Sequence, residues 1–343
     1  SSVLTSLGLE VEDVEEWVSV KGGMKGVVIG RVLTCERHPD ADRLSVTTVD
    51  AGGTEPLHIV CGAPNVAAGQ VVAVALPGTM VFHGNEQFEI RKSKIRGQLS
   101  EGMICAEDEL GLGNDHEGIM VLDGNARIGM PAAEYFGVTT DTIFEIGLTP
   151  NRIDCSSHFG VARDLAAFYN LRRPVRAKLP EIAGFSKDRD RGVINVTVEA
   201  PDACIRYSGL TVRGIKVGPS PAWLQTRLRA IGLNPINNVV DITNFVLHET
   251  GQPLHAFDAS AITGDTVRVR HLPDKTKFVT LDGVERTLSS SDLMICNRDE
   301  GMCIAGVFGG LRSGVTEATT DLFLESATFS PVSVRRTSRR HDL

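Results

Sequence analysis

The sequence predicts a multidomain α+β chain, with a small β-rich module ahead of a mixed α/β region. Three observations carry this. At 343 residues the chain exceeds what one hydrophobic core usually serves, which points to two or three domains. Residues 26–146 alternate short apolar runs with Gly and Pro, the spacing of a small β-barrel or sandwich. Residues 193–343 mix helix-period stretches with alternating ones. Hydrophobic residues make up 42% and charged residues 23%, ordinary globular usage that argues against a collagen, a coiled coil or a long disordered chain.

Segment 1–18 starts with a helical pattern (Val3, Leu4, Leu7) that Gly8 breaks, and Leu9, Val11 and Val14 follow. In the β-rich module the apolar runs are Val27 to Ile29, Leu44 to Val49, Leu57 to Val60 and Val71 to Leu76, with one helix expected at Ala132–Phe136 after Pro131. Thr149-Pro150-Asn151-Arg152 is a turn, and a helix from about Ser157 carries Val161, Leu165 and Phe168 on one face. Arg172-Arg173-Pro174 ends it, and the polar stretch from Lys178 to Gly192 reads as a linker. Ile194, Val196 and Val198 alternate as a strand does. Ser220 then reads as an N-cap with Pro221 first in the helix, Gly232 as the stop, and Trp223, Leu224, Leu228 and Ile231 as the apolar face. A second helix runs from Asn238 to Thr250 and ends at Gly251. Strands follow at Val267–Arg270, Phe278–Leu281, Leu293–Cys296, Met302–Ala305 and Leu322–Glu325, with Asp282-Gly283 as a hairpin turn; Ser330-Pro331 opens a last helix.

No apolar run is long enough to cross a membrane, and Ser1 to Glu10 lack the basic-then-apolar pattern of a signal peptide. The seven cysteines are odd in number and none forms a C-x-x-C pair. Neither a zinc ribbon nor a disulfide framework is expected, and a reducing, cytoplasmic location fits. The net charge of −8 is uneven: −3 over 1–25, −9 over 26–146, +3 over 147–190 and +1 over 191–343. A strong phosphate binder is normally basic, so the acidic module offers one cluster, Arg91, Lys92, Lys94 and Arg96, as its candidate nucleic-acid contact. Arg335, Arg336, Arg339 and Arg340 form another cluster near the last residue; each cluster also reads as a solvated face.

Four motifs could carry chemistry. His38-Pro39-Asp40-Ala41-Asp42-Arg43-Leu44, Cys61-Gly62-Ala63-Pro64-Asn65 and Ile95 through Met103 come in order, with Glu109-Leu110-Gly111-Leu112 after them. Asn151-Arg152-Ile153-Asp154 and Gly160 to Asp164 read as an Arg–Asp network that fixes a helix entry. Asn234 to Asn244 runs toward Gly251-Gln252-Pro253-Leu254-His255, where Thr243, Asn244 and His255 bring hydrogen-bonding groups close to a helix and a turn, as a small-ligand pocket needs. Ala305 to Gly310 is glycine-rich and precedes Leu324-Glu325-Ser326. It has no Gly-Lys-Ser/Thr ending, so it is not a phosphate loop. Glu325 amid apolar neighbours is either an Arg-paired structural acid or a ligand acceptor, because an unpaired buried carboxylate is costly. No G-x-S-x-G, H-E-x-x-H or G-x-G-x-x-G occurs, and no metal site is expected.

The first set of motifs resembles the OB-fold tRNA-binding domain appended to several aminoacyl-tRNA synthetases. Aromatic residues such as Phe82, Phe88, Tyr135 and Phe136 are sparse there, which leaves little base stacking. Together, in order and over essentially the whole chain, the motifs resemble the β subunit of bacterial phenylalanyl-tRNA synthetases. The resemblance implies an OB-fold tRNA-binding domain at 26–146, inserted into a small α/β domain made of 1–25 and 147–180. A linker at 181–192 and an α/β editing domain at 193–343, incomplete at its C-terminal end, would follow. It further implies a ligase subunit that charges phenylalanine tRNA with ATP and Mg2+ at a site in the partner α subunit, within an (αβ)2 assembly. This region would bind tRNA and hydrolyse tyrosine wrongly attached to that tRNA. Glu325 would accept the phenol, Gly306 and Gly309 would let backbone approach the amino acid, and Thr243, Asn244 and His255 would lie near the ester. No Ser–His or Cys–His pair is evident, so attack by water without an acyl-enzyme is expected. A non-catalytic tRNA-docking and scaffold module is the alternative, and a barrel that merely braces the fold is a third reading, which its acidity favours.

Overall fold

A computed structural model describes residues 1–83, 86–113, 115–189 and 193–343. The chain divides into two compact units, one of residues 14–143 and one of 1–13 with 144–343. The strands Glu10–Val18 and Thr140–Gly147 pair with each other, and both unit boundaries fall within them. The expected helical start is thus only Ser2–Ser6, and the chain turns into a strand after Gly8. That strand, EVEDVEEWV, is mostly exposed, so its apolar residues never alternate cleanly and periodicity did not reveal it.

Residues 14–143 form a nearly closed barrel. Its sheet runs in the order Met103–Ile104, Val71–Ala75, Val27–Arg37, Ser45–Asp50, Leu57–Cys61, and Val121–Leu122 also pairs with Val71–Ala75. The open side closes where Glu101 N donates to His58 O at 2.7 Å and Val60 N donates to Ser100 Oγ at 3.1 Å. Val71–Ala75 is buried on both faces, which is why it reads as an unbroken apolar run instead of an alternation. Hairpins Met80–His83 with Glu86–Glu89 and Ser93–Ile95 with Gln98–Ser100 project from it. The second hairpin turns at Arg96 and Gly97, both with positive φ, the conformation a two-residue turn requires. The first set of motifs gains a physical role here. His38 is buried, accepts from Asp40 N through Nδ1 at 3.0 Å and lies 3.3 Å from Ile95 O through Nε2. With Nδ1 accepting, Nε2 carries the proton, so His38 ties its turn to the second hairpin. Asn65 braces the 119 strand entry with two reciprocal bonds to Ile119, each 2.9 Å.

The other unit is built on two sheets. One orders Asn195–Val198, Thr266–His271, Leu293–Cys296, Gly301–Ile304, Phe308–Gly309, its first pair parallel and the rest antiparallel. The other places Asp321–Phe329 between Cys204–Arg213 and His255–Asp258, all antiparallel. Phe257 and Phe323 from the second sheet pack with Val267, Val269, Ile295 and Cys303 from the first in one core. The expected hairpin at Asp282-Gly283 forms between Lys277–Val279 and Glu285–Thr287, with Gly283 at φ 77°.

Helices His158–Asn170, Ala222–Ala230, Asn238–Thr250 and Pro331–His341 form where capping residues predict them. Ser157 Oγ accepts from Gly160 N, and Asn237 Oδ1 accepts from Val239 N and Val240 N. One start is a residue later than expected. Pro221 occupies the cap position and Ser220 is not the cap, because its hydroxyl donates instead to Asp241 Oδ2 at 2.5 Å. On that helix Leu224 and Leu228 are buried as expected, but Trp223 lies 58% exposed, edge-on to Phe245. The expected linker at 181–192 has no regular structure over 181–189, and 190–192 lie outside the described residues.

Candidate functional site

The three-stranded sheet creates the site by register alone. Gly209 and His255 both stand opposite Glu325, on either side of it. Opposed residues share a face, and so do residues two apart along a strand. One face therefore carries Tyr207, Glu325, His255, Phe323 and Phe257, and it is the face turned into the core. Gly209 has no side chain because the Phe323 ring fills the space a Cβ would take.

Glu325 is 6% exposed. Its partner is not an arginine: Tyr207 donates its hydroxyl to Oε2 at 2.6 Å. Loss of solvent pushes the Glu325 carboxyl up to about 7, and the Tyr207 hydrogen bond acts against that rise. The Tyr207 phenol is itself pushed well up, first by burial and then by the carboxylate. Burial and Glu325 likewise raise the neighbouring thiols, Cys204 to about 11 and Cys303 well beyond its usual range, so both remain protonated. His255 lies edge-on to Phe257 with ring centroids 4.4 Å apart. Its Nε2 is buried and has no hydrogen-bond partner. Burial lowers its pKa to about 4, so the imidazole is neutral at physiological pH.

An unpaired buried polar atom is costly enough to need a reason. Here the surroundings supply one. Gly309 brings bare backbone against the imidazole: a Cβ there would come within 2.9 Å of His255 Cε1 and 2.7 Å of Leu281 Cδ1. A carboxyl poised near neutrality, a phenol fixed on it, an imidazole nitrogen free to bond and a stretch of naked backbone are thereby gathered in one place. That set can hold a polar organic ligand by a hydroxyl and orient a water beside it.

The sequence-predicted residues divide. Glu325, His255 and Gly309 are brought together. Gly306, at φ 69°, faces Phe329 and Val334. Thr243 spends its hydroxyl on Val240 O at 2.7 Å, within its own helix, and Asn244 is half-buried on the same helix, which packs against the His255–Asp258 strand. Tyr207 was missed. No strand was expected over Cys204–Arg213, its partner lies 118 residues away, and only pairing of the strands joins them. Asp241 was also missed as a clamp: fully buried, it accepts from Ser220 Oγ and from Ile236 N at 2.8 Å and so fixes the loop before its helix.

Of the barrel cations, Arg91 is held by Glu89 at 2.7 Å and Lys92 by Glu101 at 3.0 Å, while Lys94 and Arg96 are exposed on the second hairpin. A cavity of about 550 Å³ opens beside them, lined by Pro64, Phe88, Ile90, Arg91 and Ile95 among others. Asp154, Cys155 and Asp164 are grouped closely enough to hold a cation. Arg152 already fills that place, bonded to all three, and Arg163 reaches Asp154 at 2.8 Å. The group is a salt-bridge network at the entry of helix His158–Asn170 and does not fit Mg2+, which demands a nearly regular shell of oxygen ligands.

Residues 27–131 match the family described as "Putative tRNA binding domain", and residues 203–343 match the B3/4 domain family. The chain is 58% identical over 344 residues to the phenylalanine–tRNA ligase beta subunit of Porphyromonas gingivalis, covering 99% of this chain and 42% of that subunit. It is 57% identical to the corresponding subunit of Bacteroides thetaiotaomicron, covering 100% of this chain and 42% of that one. The subunit of Salinibacter ruber is 47% identical over 99% of this chain and 42% of its own length. The chain thus spans about two fifths of the length of the relatives it matches.

Proposed function

We propose that this chain, which by sequence belongs to the phenylalanine–tRNA ligase beta-subunit family, serves that ligase by binding tRNA and by hydrolysing tyrosine wrongly attached to phenylalanine tRNA. The observation that carries the proposal is the buried Glu325 carboxyl facing the unpartnered His255 imidazole across one strand pair.

The reasoning is one of discrimination. Tyrosine differs from phenylalanine by a hydroxyl, and an apolar synthetic pocket rejects an added hydroxyl poorly, by about a hundredfold in comparable cases. A second pocket whose buried acceptor needs that hydroxyl rejects phenylalanine strongly, because phenylalanine leaves the acceptor unpaired. Glu325 is such an acceptor. Gly306 and Gly309 give the amino acid close approach to backbone, and Thr243 and Asn244 lie with His255 toward the ester end in this reading. A base with a pKa near 4 removes protons from water weakly, so His255 acts in our reading as a neutral imidazole whose Nε2 orients the attacking water. No covalent intermediate is needed.

In the same reading the synthetic reaction, with its ATP and Mg2+, belongs to the partner α subunit in an (αβ)2 assembly in the cytoplasm. Among the described residues, Arg152 occupies the place between Asp154, Cys155 and Asp164 that a cation would take, and no step is routed through a metal there. Of the four cations singled out in the sequence, Lys94 and Arg96 are the two offered to tRNA phosphates.

The test is deacylation of phenylalanine tRNA charged with tyrosine or with phenylalanine by the full-length subunit in its ligase. Glu325→Ala is expected to abolish the preference for the tyrosyl ester. An unchanged preference defeats the assignment and leaves the docking and scaffold reading.

A further inference from the structure

We propose that Tyr207 is a positioning residue for tyrosine selection: its hydroxyl occupies Oε2 of Glu325, favours the ionised, acceptor form of the carboxyl, and leaves Oε1 as the acceptor presented to a ligand phenol. The proposal rests on the editing reading above and names a residue that reading does not require.

The geometry supports it in three ways. First, the row across the sheet is Gly209, Glu325, His255, and Gly209 has no side chain with which to hold the carboxyl. Tyr207, two residues before Gly209 on the same face, reaches diagonally to Oε2 at 2.6 Å. Among the described residues no other side chain donates to Glu325.

Second, the groups facing Glu325 from the elements packed on it are neutral. They are Tyr207 and Cys204 from the Cys204–Arg213 strand, His255 from the His255–Asp258 strand and Cys303 from the Gly301–Ile304 strand. No cation among them favours the ionised acid. The Tyr207 hydrogen bond is the interaction that does, since a donor stabilises the charged form of a carboxyl.

Third, the chemistry of selection depends on that form. An ionised carboxylate only accepts hydrogen bonds, whereas a protonated one also donates. An acceptor-only group with one oxygen already satisfied can be completed by a ligand O–H and by nothing on a phenylalanine ring. A protonated Glu325 would turn its own O–H toward Tyr207 or the backbone and lose that demand.

The experiment compares the natural full-length subunit, Tyr207→Phe, Glu325→Gln and Glu325→Ala, each in the assembled ligase. Hydrolysis of tyrosyl and phenylalanyl esters of the same tRNA is measured across the titration of the carboxyl, with spontaneous hydrolysis subtracted, and the readout is the ratio of the two rates. At neutral pH Tyr207→Phe is expected to lower the ratio by about tenfold or more, the worth of one hydrogen bond to a charged group. The midpoint of its pH profile should move up by about one to two units, so that selectivity returns on the alkaline side. Glu325→Gln should show a low ratio with no such recovery. A natural ratio and midpoint in Tyr207→Phe overturn the proposal. So does a ratio lost at every pH, which would make Tyr207 a packing residue only. If Glu325→Ala leaves selectivity intact, the editing reading falls and takes this inference with it. If Glu325→Ala removes selectivity while Tyr207→Phe does not, the role of Tyr207 alone falls.

Discussion

Replacing Glu325 by Gln should make the stability of its unit change with pH in a way that can be worked out in advance. Gln keeps the shape and an oxygen to accept from Tyr207, but it cannot ionise. Burial raises the Glu325 carboxyl from 4.5 to about 7, and Glu325 is almost wholly enclosed, so solvent screening takes little away. In an acid whose folded pKa lies above its unfolded one, the folded state holds the extra proton between the two values. Its contribution is fully present below about pH 4.5 and is lost as pH rises through about 7. At about 1.4 kcal/mol per unit, the loss is about 3 kcal/mol. His255 works in the opposite sense. Its pKa falls from 6.5 to about 4, so its contribution is present above about pH 6.5 and is lost as pH falls through about 4, again about 3 kcal/mol. In the natural protein the two trends oppose each other between about pH 4.5 and 6.5. Glu325→Gln removes one and exposes the other. The variant should gain about 3 kcal/mol relative to the natural protein as pH goes from about 4.5 to about 7. The assay is urea unfolding at a series of pH values. Trp17→Phe in both proteins leaves Trp223, in the same unit as Glu325, as the fluorescent reporter. A difference between variant and parent that stays constant over this range refutes the reasoning, because the carboxyl would then titrate alike in the folded and unfolded chain.

The imidazole of His255 should remain neutral down to about pH 4 in an NMR titration; protonation near the usual histidine value would show that the ring is not desolvated. Asp241→Ala leaves the Ser220 hydroxyl and the Ile236 amide unpaired in a buried place and should cost about 2 to 4 kcal/mol, checked by denaturant unfolding. Gly309→Ala drives a methyl into His255 and Leu281, so hydrolysis of the tyrosyl ester should fall while the far-ultraviolet spectrum is retained. In tRNA binding, the double change Lys94→Ala with Arg96→Ala should lower the logarithmic salt slope by about 1.5 to 2, whereas Arg91→Ala with Lys92→Ala, whose partners Glu89 and Glu101 already offset them, should lower it less; equal effects would remove the distinction.

Much of the architecture was legible in local chemistry. Ser157 and Asn237 accept from the first amides of their helices, and Gly251 takes the left-handed conformation that stops one. Those roles depend on residues within four positions of each other, which is the range over which a sequence can be read directly. Misreadings arose where a side chain had a distant use. Ser220 looked like a cap, but Asp241 claims its hydroxyl. Trp223 looked like core, but the buried stripe of its helix is Leu224 and Leu228. Strand Glu10–Val18 escaped notice because neither of its faces is continuously buried.

The candidate site divides along the same line. The sequence by itself determined the residue types: a lone acid in an apolar strand, a histidine after a turn, glycines where backbone can be approached. It also determined that 91–96 would be basic inside an acidic stretch. Tertiary structure alone decided which of these meet. Strand register set Glu325 opposite His255 and within reach of Tyr207, and burial then drove the acid up and the imidazole down toward neutrality. The physical reason is range. Helix caps and turns are set by bonds between near neighbours, whereas a desolvated ion feels every element packed around it, and those elements are brought together only when the chain has folded.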